Sequence, residues 1–332
     1  MPYRRLLHIS DTHFCEFPNR NNHLKLWQNP PALSLTNQGK RISRSFFPSS
    51  FDSNAAQALA AFVCDVAPDL SLIVHSGDLA TTGRPDDLGA AFHFLSASNC
   101  NGSTADGKPS IGDHVEKLFI CPGNHDRYKN NFAKPWSANF NLQFRKIWLT
   151  QRLDITYRYV NKDDRKICIL AIDFCLRANR DAGAPYQLNR YGRGKVYSDT
   201  ILRLNDLMTE LVDNDKCLNF IWVIHFPPAD GAGSAEQLLN FDDVASLAKK
   251  YNVSFVLSGH LHNASISKTS YGTTIIRAGT ACAADEAPNC WIHLLDLKIE
   301  DDLIASIRKT DYKWDWRNGE FSPVGSSIQI LS

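Results

Sequence analysis

The chain has 332 residues, and its 36 Lys and Arg against 35 Asp and Glu leave a formal net charge of +1. With no long basic block, that balance argues against nucleic acid or an anionic membrane as a partner held by bulk charge, and leaves room for a local basic pocket. Only Leu6-Leu7 separates Arg4-Arg5 from His8, too short for a secretory h-region, and no apolar run approaches the ~20 residues that span a bilayer. A cytoplasmic protein is expected.

Leu6-Leu7-His8-Ile9 reads as a short strand ending at Ser10-Asp11. A polar, Asn/Pro-rich stretch over 14–53 lacks periodicity and reads as an inserted loop. Leu59, Phe62, Val63 and Val66 recur at helical spacing over 54–66, and Pro68 stops that helix. The run 70–75 is a buried strand ending at Gly77-Asp78, followed by a helix over 86–95 and a second polar loop over 99–113. A strand over 117–121 ends at Gly123-Asn124-His125, and a helix is predicted over 140–149. Strands at 156–160 and 166–173 flank a turn-like Asn161-Lys162-Asp163-Asp164. After a Gly/Arg-rich loop over 177–195, Asp199 begins a helix carrying Ile201, Leu204, Leu207 and Leu211. A buried strand over 218–224 ends at His225; a helix over 242–250 and a strand over 253–257 lead to Gly259-His260. The tail is read as strands over 273–277, 291–297, 303–309 and 312–316. Alternating strands and helices that finish in strands point to an α/β layered core.

Nine cysteines are scattered without a CxxC pair. Several fall in apolar runs, so buried thiols in a reducing compartment are expected; a zinc–thiolate site is the alternative.

Five strand ends carry polar clusters: Asp11-Thr12-His13, Gly77-Asp78, Gly123-Asn124-His125, His225, and Gly259-His260-Leu261-His262. Carboxyl ends of strands are where α/β sheets bind ligands. Carboxylate, amide oxygen and imidazole together suit Mn, Fe or Zn. Alternate residues in Asp11-x-His13 and His260-x-His262 leave a strand on one side, so each pair is able to face one site. The preceding glycines allow tight turns or positive φ. Each piece alone is commonplace; their recurrence in order after buried strands is not. Five of the eleven histidines fall in these pieces. His23, His93, His114 and His293 have no such context, whereas His8 and His75 lie close enough to orient ligands.

This order resembles the calcineurin-like metallophosphoesterase family from about Arg4 to Ala281. His8-Ile9-Ser10-Asp11-Thr12-His13 and His225-x-Pro227-Pro228 are similar to its cyclic-nucleotide and glycerophosphodiester phosphodiesterase branch, and Gly192-Arg193-Gly194 has a family-like position. The resemblance implies a single domain over 1–332 with a four-layer αββα sandwich, inserted loops, a catalytic core over about 4–281 and C-terminal strands over 282–332 completing the sheets. It implies two divalent or trivalent metal ions (Mn, Fe or Zn). The first is held by Asp11, His13, Asp78 and His262, and the second by Asp78, Asn124, His225 and His260, with Asp78 bridging. His125 faces the substrate phosphate, oriented by Asp126. Such a centre clamps a phosphate and activates a bridging water for in-line attack on a small phosphodiester. A phosphomonoesterase on the same site is the near alternative; a nuclease or a non-catalytic metal-binding interaction module is more distant. Arg177, Arg190, Arg193 and Lys195 read equally as substrate contacts or a solvated face. Two departures stand out. Thr81 sits where many relatives carry Asp, and Phe226 sits where the near branch carries a second His.

Overall fold

The computed structural model describes residues 3–14, 51–98, 102–128, 137–148, 154–161, 164–177, 193–227, 238–282 and 290–331. In chain order these form β1 (Tyr3–Ile9), α1 (Ser53–Val66), β2 (Leu72–His75), α2 (Pro85–Ser96), β3 (Leu118–Ile120), α3 (Asn124–Arg127), α4 (Asn139–Gln143), β4 (Ile155–Asn161), β5 (Asp164–Ile172) and β6 (Gly194–Lys195). Then come α5 (Ser198–Asp213), β7 (Asn219–Val223), β8 (Leu238–Leu239), α6 (Phe241–Lys250), β9 (Val253–Ser258), β10 (Ser265–Lys268) and β11 (Thr274–Arg277). The tail forms β12 (Trp291–Glu300), β13 (Leu303–Asp315), β14 (Glu320–Pro323) and β15 (Ile328–Leu331).

One sheet runs β14-β13-β12-β1-β2-β3, with β15 also on β13; the other runs β10-β11-β9-β7-β5-β4. Both are buried on two faces, which explains the unbroken apolar strand runs. In β5, Ile167, Ile169 and Ala171 join an apolar cluster shared with the first sheet, α1 and α2. The alternate residues Cys168, Leu170 and Ile172 join a second cluster with Leu204, Leu207, Met208 and Leu211 of α5 and Val244, Leu247 and Ala248 of α6. Helices therefore cover the outside of each sheet, and the fold is the four-layer αββα sandwich. Strands β1, β2 and β3 run parallel to one another, as do β5, β7, β9 and β11, and the carboxyl ends of the two sets gather on one edge of the sandwich.

Several sequence expectations are revised. The helix expected over 140–149 closes at Gln143, because Phe144 leaves helical geometry. Phe140 and Phe144 stack there at 4.7 Å, and Leu149 lies outside the described residues. The two tail strands expected over 303–316 are one long β13. The short strands β6, β8, β10, β14 and β15 carry no clear alternation in the sequence. Of the loop expected over 14–53, residues 15–50 lie outside the described residues. In the second loop, Gly102 and Ser103 accept from Gln57 of α1, and Ser110 donates to Phe94 and Ala97. Cys64, Cys121, Cys168, Cys175, Cys217, Cys282 and Cys290 are free thiols, all but Cys64 buried. Among the described residues no helix is long and apolar enough to cross a membrane.

Candidate metal centre

Two loops are stitched together before any ligand is considered. Beyond β1 and β2 the backbones keep pairing, with Asp11 N donating to Gly77 O, His13 N to Asp78 O and Phe14 N to Leu79 O. Thr12 Oγ1 donates to Leu79 O and lies 3.0 Å from His75 Nε2, while Gly77 N donates to His75 Nδ1. That fixes the His75 tautomer with its proton on Nε2, donated to Thr12. His75 and His8 thus touch neighbours of the ligands: His8 Nε2 meets Ser76 Oγ at 2.9 Å, and Ser76 O in turn accepts from His225 Nδ1.

The candidate ligands leave these loops at unusual angles. Asp11, His13, Asp78, His260 and His262 all have φ between 48° and 74°. Non-glycine residues there carry local strain, which clusters at functional sites. The three preceding glycines serve two different needs. Gly77 has φ +114° and also no room for a Cβ, which would lie 2.4 Å from His225 Nδ1, whereas at Gly123 and Gly259 the requirement is space alone. A Cβ at Gly123 would lie 2.1 Å from Asp78 Oδ1, and one at Gly259 would lie 1.9 Å from Ser10 Oγ and 2.5 Å from Asp11 Oδ2. The carboxylates are held by backbone donors: His125 N to Asp78 Oδ1 and His260 N to Asp11 Oδ2.

All seven candidate ligands meet. His262 Nε2 is 3.1 Å from His13 Nε2 and 3.3 Å from Asp11 Oδ1; His13 Nε2 is 3.8 Å from Asp11 Oδ1 and 4.0 Å from Asp78 Oδ2. Around His225 Nε2 lie Asn124 Oδ1 at 3.0 Å, His260 Nδ1 at 3.2 Å and Asp78 Oδ2 at 3.3 Å. Because Ser76 O only accepts, His225 carries a proton on Nδ1, and its Nε2 meets atoms that offer lone pairs. Asp11 Oδ1 is buried without a hydrogen-bond partner. Ligand atoms ~2.1 Å from a cation, at the angles of tetrahedral or octahedral sites, stand ~3.0–3.4 Å apart. The closest separations match that spacing, and the donor set fits two cations sharing Asp78.

The electrostatics agree. Burial opposes ionisation of Asp78, yet His225 and His125 hold its carboxyl well below the usual range. Burial pushes His13 down, and it pushes His260 down to about 3, helped by His225. His225 goes the other way: burial pushes it down, but the charge and hydrogen bond of Asp78 lift it to about 9, so a cation at its Nε2 has to displace a proton.

His125 is buried beside the cluster, its Nε2 3.9 Å from Asp78 Oδ2, close enough to form a metal-capable group with His13 and Asp78. Its ring packs edge-on against His13 at 4.8 Å, and its Nδ1 donates to Thr81 O at 2.8 Å. The backbone of Thr81 thus holds the ring at the position where many relatives carry Asp. Asp126, expected to orient His125, has a prominent second set of partners. The Asp126 carboxylate accepts from Gly123 N, Leu79 N and Ala80 N, clamping the β2 and β3 loops. Burial and the charge of Asp78 push Asp126 up to about 7, against those three donors.

Phe226 lies against His225 and His260, ring centroids 5.1 and 4.9 Å away, and the backbone of Gly194 closes beneath it. Arg177 is bound by Asp154, Asp199 and Thr200 and packs on Tyr197. Lys195 also lies over Tyr197; Arg190, Gly192 and Pro228 lie outside the described residues. Two contacts escaped the sequence reading. Tyr128 Oη accepts from Asn124 Nδ2 at 2.8 Å, and Arg127 is buried against Asp173 at 2.5 Å. The only available signal was their place beside Asn124. No cysteine belongs to a metal-capable group among the described residues.

The oxygen and nitrogen cluster, set where two facing sheets present their parallel strand ends, fits a dinuclear metal centre. The chain belongs to the calcineurin-like phosphoesterase family, whose profile matches residues 4–264, and that match makes the protein a metal-dependent phosphoric ester hydrolase. A dimetal phosphatase from Danio rerio has a similar fold over 100% of this chain and 99% of its own, with a TM-score of 0.61 at 13% identity. NAD nucleotidase from Haemophilus influenzae aligns with 98% of this chain and 54% of its own, at a TM-score of 0.45 and 12% identity. These identities speak to the fold alone. No curated protein matches the chain significantly in sequence.

Proposed function

We propose that the chain hydrolyses small phosphodiesters, of the cyclic-nucleotide or glycerophosphodiester kind. The observation that carries the reading is the convergence of seven oxygen and nitrogen ligands, all buried but the half-buried His260, with Asp11 Oδ1 lacking a hydrogen-bond partner. Asp11, His13, Asp78 and His262 hold the first cation, and Asp78, Asn124, His225 and His260 the second. When bound, the pair polarises the phosphoryl oxygens and supplies an activated water. The residues do the rest. Asp78 is fixed by the His125 amide, so both sites share one rigid carboxylate. His125, held through Nδ1, presents Nε2 towards the reacting phosphate. A proton on that atom passes to the departing alkoxide, or is shared with a phosphoryl oxygen as charge develops. Asp126 acts at a distance, as the clamp on both loops.

Diester preference is supported by the His225-x-Pro227-Pro228 segment and by the binding of Arg177 to carboxylates, which withdraws it from a dianionic monoester. We also read the chain as one domain. β12 lies between β1 and β13, so the tail strands cover the flank of the strand that carries Asp11. The test is Mn-loaded protein against bis-p-nitrophenyl phosphate, p-nitrophenyl phosphate and cyclic AMP. Faster turnover of the diesters supports the proposal. Preference for the monoester replaces it with a phosphomonoesterase, and no hydrolysis of any ester favours a binding module.

A further inference from the structure

We propose that Tyr128 is a positioning residue for the second cation, acting through the side-chain amide of Asn124; the inference rests on the two-metal reading above. An amide offers a metal one useful atom. Its oxygen has lone pairs, whereas its NH2 group, turned to the cation, presents positive hydrogens. Asn124 is buried, so whichever end faces away from the metal also needs a partner inside the protein.

The structure supplies that partner. Asn124 Oδ1 points to the cluster, 3.0 Å from His225 Nε2, and Nδ2 donates to Tyr128 Oη at 2.8 Å. The two residues are four apart, one on the short turn of α3 and the other at its end. The Tyr128 ring is itself fixed. It is 4% exposed, packs 5.3 Å from the His125 ring, and its backbone carbonyl lies where a Cβ on Gly83 would be 2.0 Å away. A hydroxyl on a buried, packed ring holds the far end of the amide, leaving the oxygen for the cation. Removing the hydroxyl while keeping the ring leaves a buried NH2 short of that acceptor in the metal-bound arrangement. The second cation is then held more weakly, while the first, which Asn124 does not touch, is held as before.

The decisive experiment is a double-mutant cycle read by calorimetric titration of metal-free protein with Mn2+. Asp11→Asn, which weakens the first site, assigns the two steps. Tyr128→Phe is expected to weaken the second step by about 10-fold, from the cost of an unmade buried hydrogen bond, and to leave the first unchanged. In the Asn124→Ala background the same substitution is expected to do nothing further, since no amide is left to hold. A merely structural Tyr128 would weaken both steps, or keep its effect without Asn124. Either result, or an unchanged second step in Tyr128→Phe, overturns the inference. Wild-type protein that takes up only one cation sinks the two-metal reading first, and the role of Tyr128 falls with it.

Discussion

Asp126→Ala separates a loop clamp from a partner of His125. Its carboxylate is fully buried and accepts three backbone N–H groups, at 2.9 Å from Gly123 and Ala80 and 3.2 Å from Leu79. A hydrogen bond contributes about 0.5–1.5 kcal/mol between neutral groups and about 1.5–3 kcal/mol to a charged one, and the Asp126 carboxyl, pushed up to about 7, is divided between the two forms at neutral pH. Three in one cluster are not additive, and the cost of desolvating the carboxylate itself is recovered when it is removed, so the expected loss is about 3–5 kcal/mol. Against the ~5–15 kcal/mol that usually separates folded from unfolded protein, this is large. Urea unfolding should show a lower midpoint at nearly unchanged slope. Because Asp78 and Asn124 sit on the clamped loops, metal affinity should fall in parallel. The rate of the remaining loaded enzyme should keep its dependence on leaving group. A variant within about 1 kcal/mol of wild type that binds both metals but loses turnover would refute the clamp and return Asp126 to His125.

His125→Ala should keep both metals and lower turnover by ~10²–10⁴-fold, less for p-nitrophenolate esters than for poor leaving groups; loss of metal by elemental analysis would make His125 a ligand. Gly259→Ala should displace Asp11, because the new methyl meets Ser10 Oγ and Asp11 Oδ2. The expected cost is about 1–3 kcal/mol by denaturant melts, with weaker binding at the first site, and an unchanged melt would show that the loop yields. In metal-free protein burial pushes His225 down, but the charge and hydrogen bond of Asp78 lift it to about 9. A raised folded value contributes stability that is complete below the unfolded value of ~6.5 and is lost as pH rises to about 9. Chelated protein should therefore lose melting temperature across that window. Loaded protein, whose cation occupies the same lone pair, should not, and parallel curves for the two forms would contradict the assignment.

Much of this was legible from the chain because ligand chemistry and strand periodicity coincide. A buried strand that ends in Gly-Asp, Gly-Asn-His or Gly-His announces both its own end and its contents. The strands written in apolar residues, such as Ile167–Ile172, were legible for the same reason. Short edge strands were not: Ser265-Ile266-Ser267-Lys268 has one apolar side chain and pairs only because β11 offers an edge. Sequence also does not say which atom of a residue acts. Thr81 reads as the loss of an acid, yet its carbonyl oxygen holds His125. Asp126 reads as a partner of its neighbour, and nothing in the chain signals that its carboxylate accepts from the N–H groups of Gly123, Leu79 and Ala80. Gly123 and Gly259 read as turn residues, yet their need is room for Asp78 and Asp11.

The central claim is that one carboxylate, Asp78, joins two metal sites. The most direct test is the metal content of purified, reconstituted Asp78→Ala beside wild type, measured by elemental analysis together with hydrolysis of bis-p-nitrophenyl phosphate. The account predicts two metals per chain in wild type, a clear deficit in the variant, and no measurable turnover once the shared ligand is gone. Two tightly held metals in Asp78→Ala, with activity retained, would contradict it.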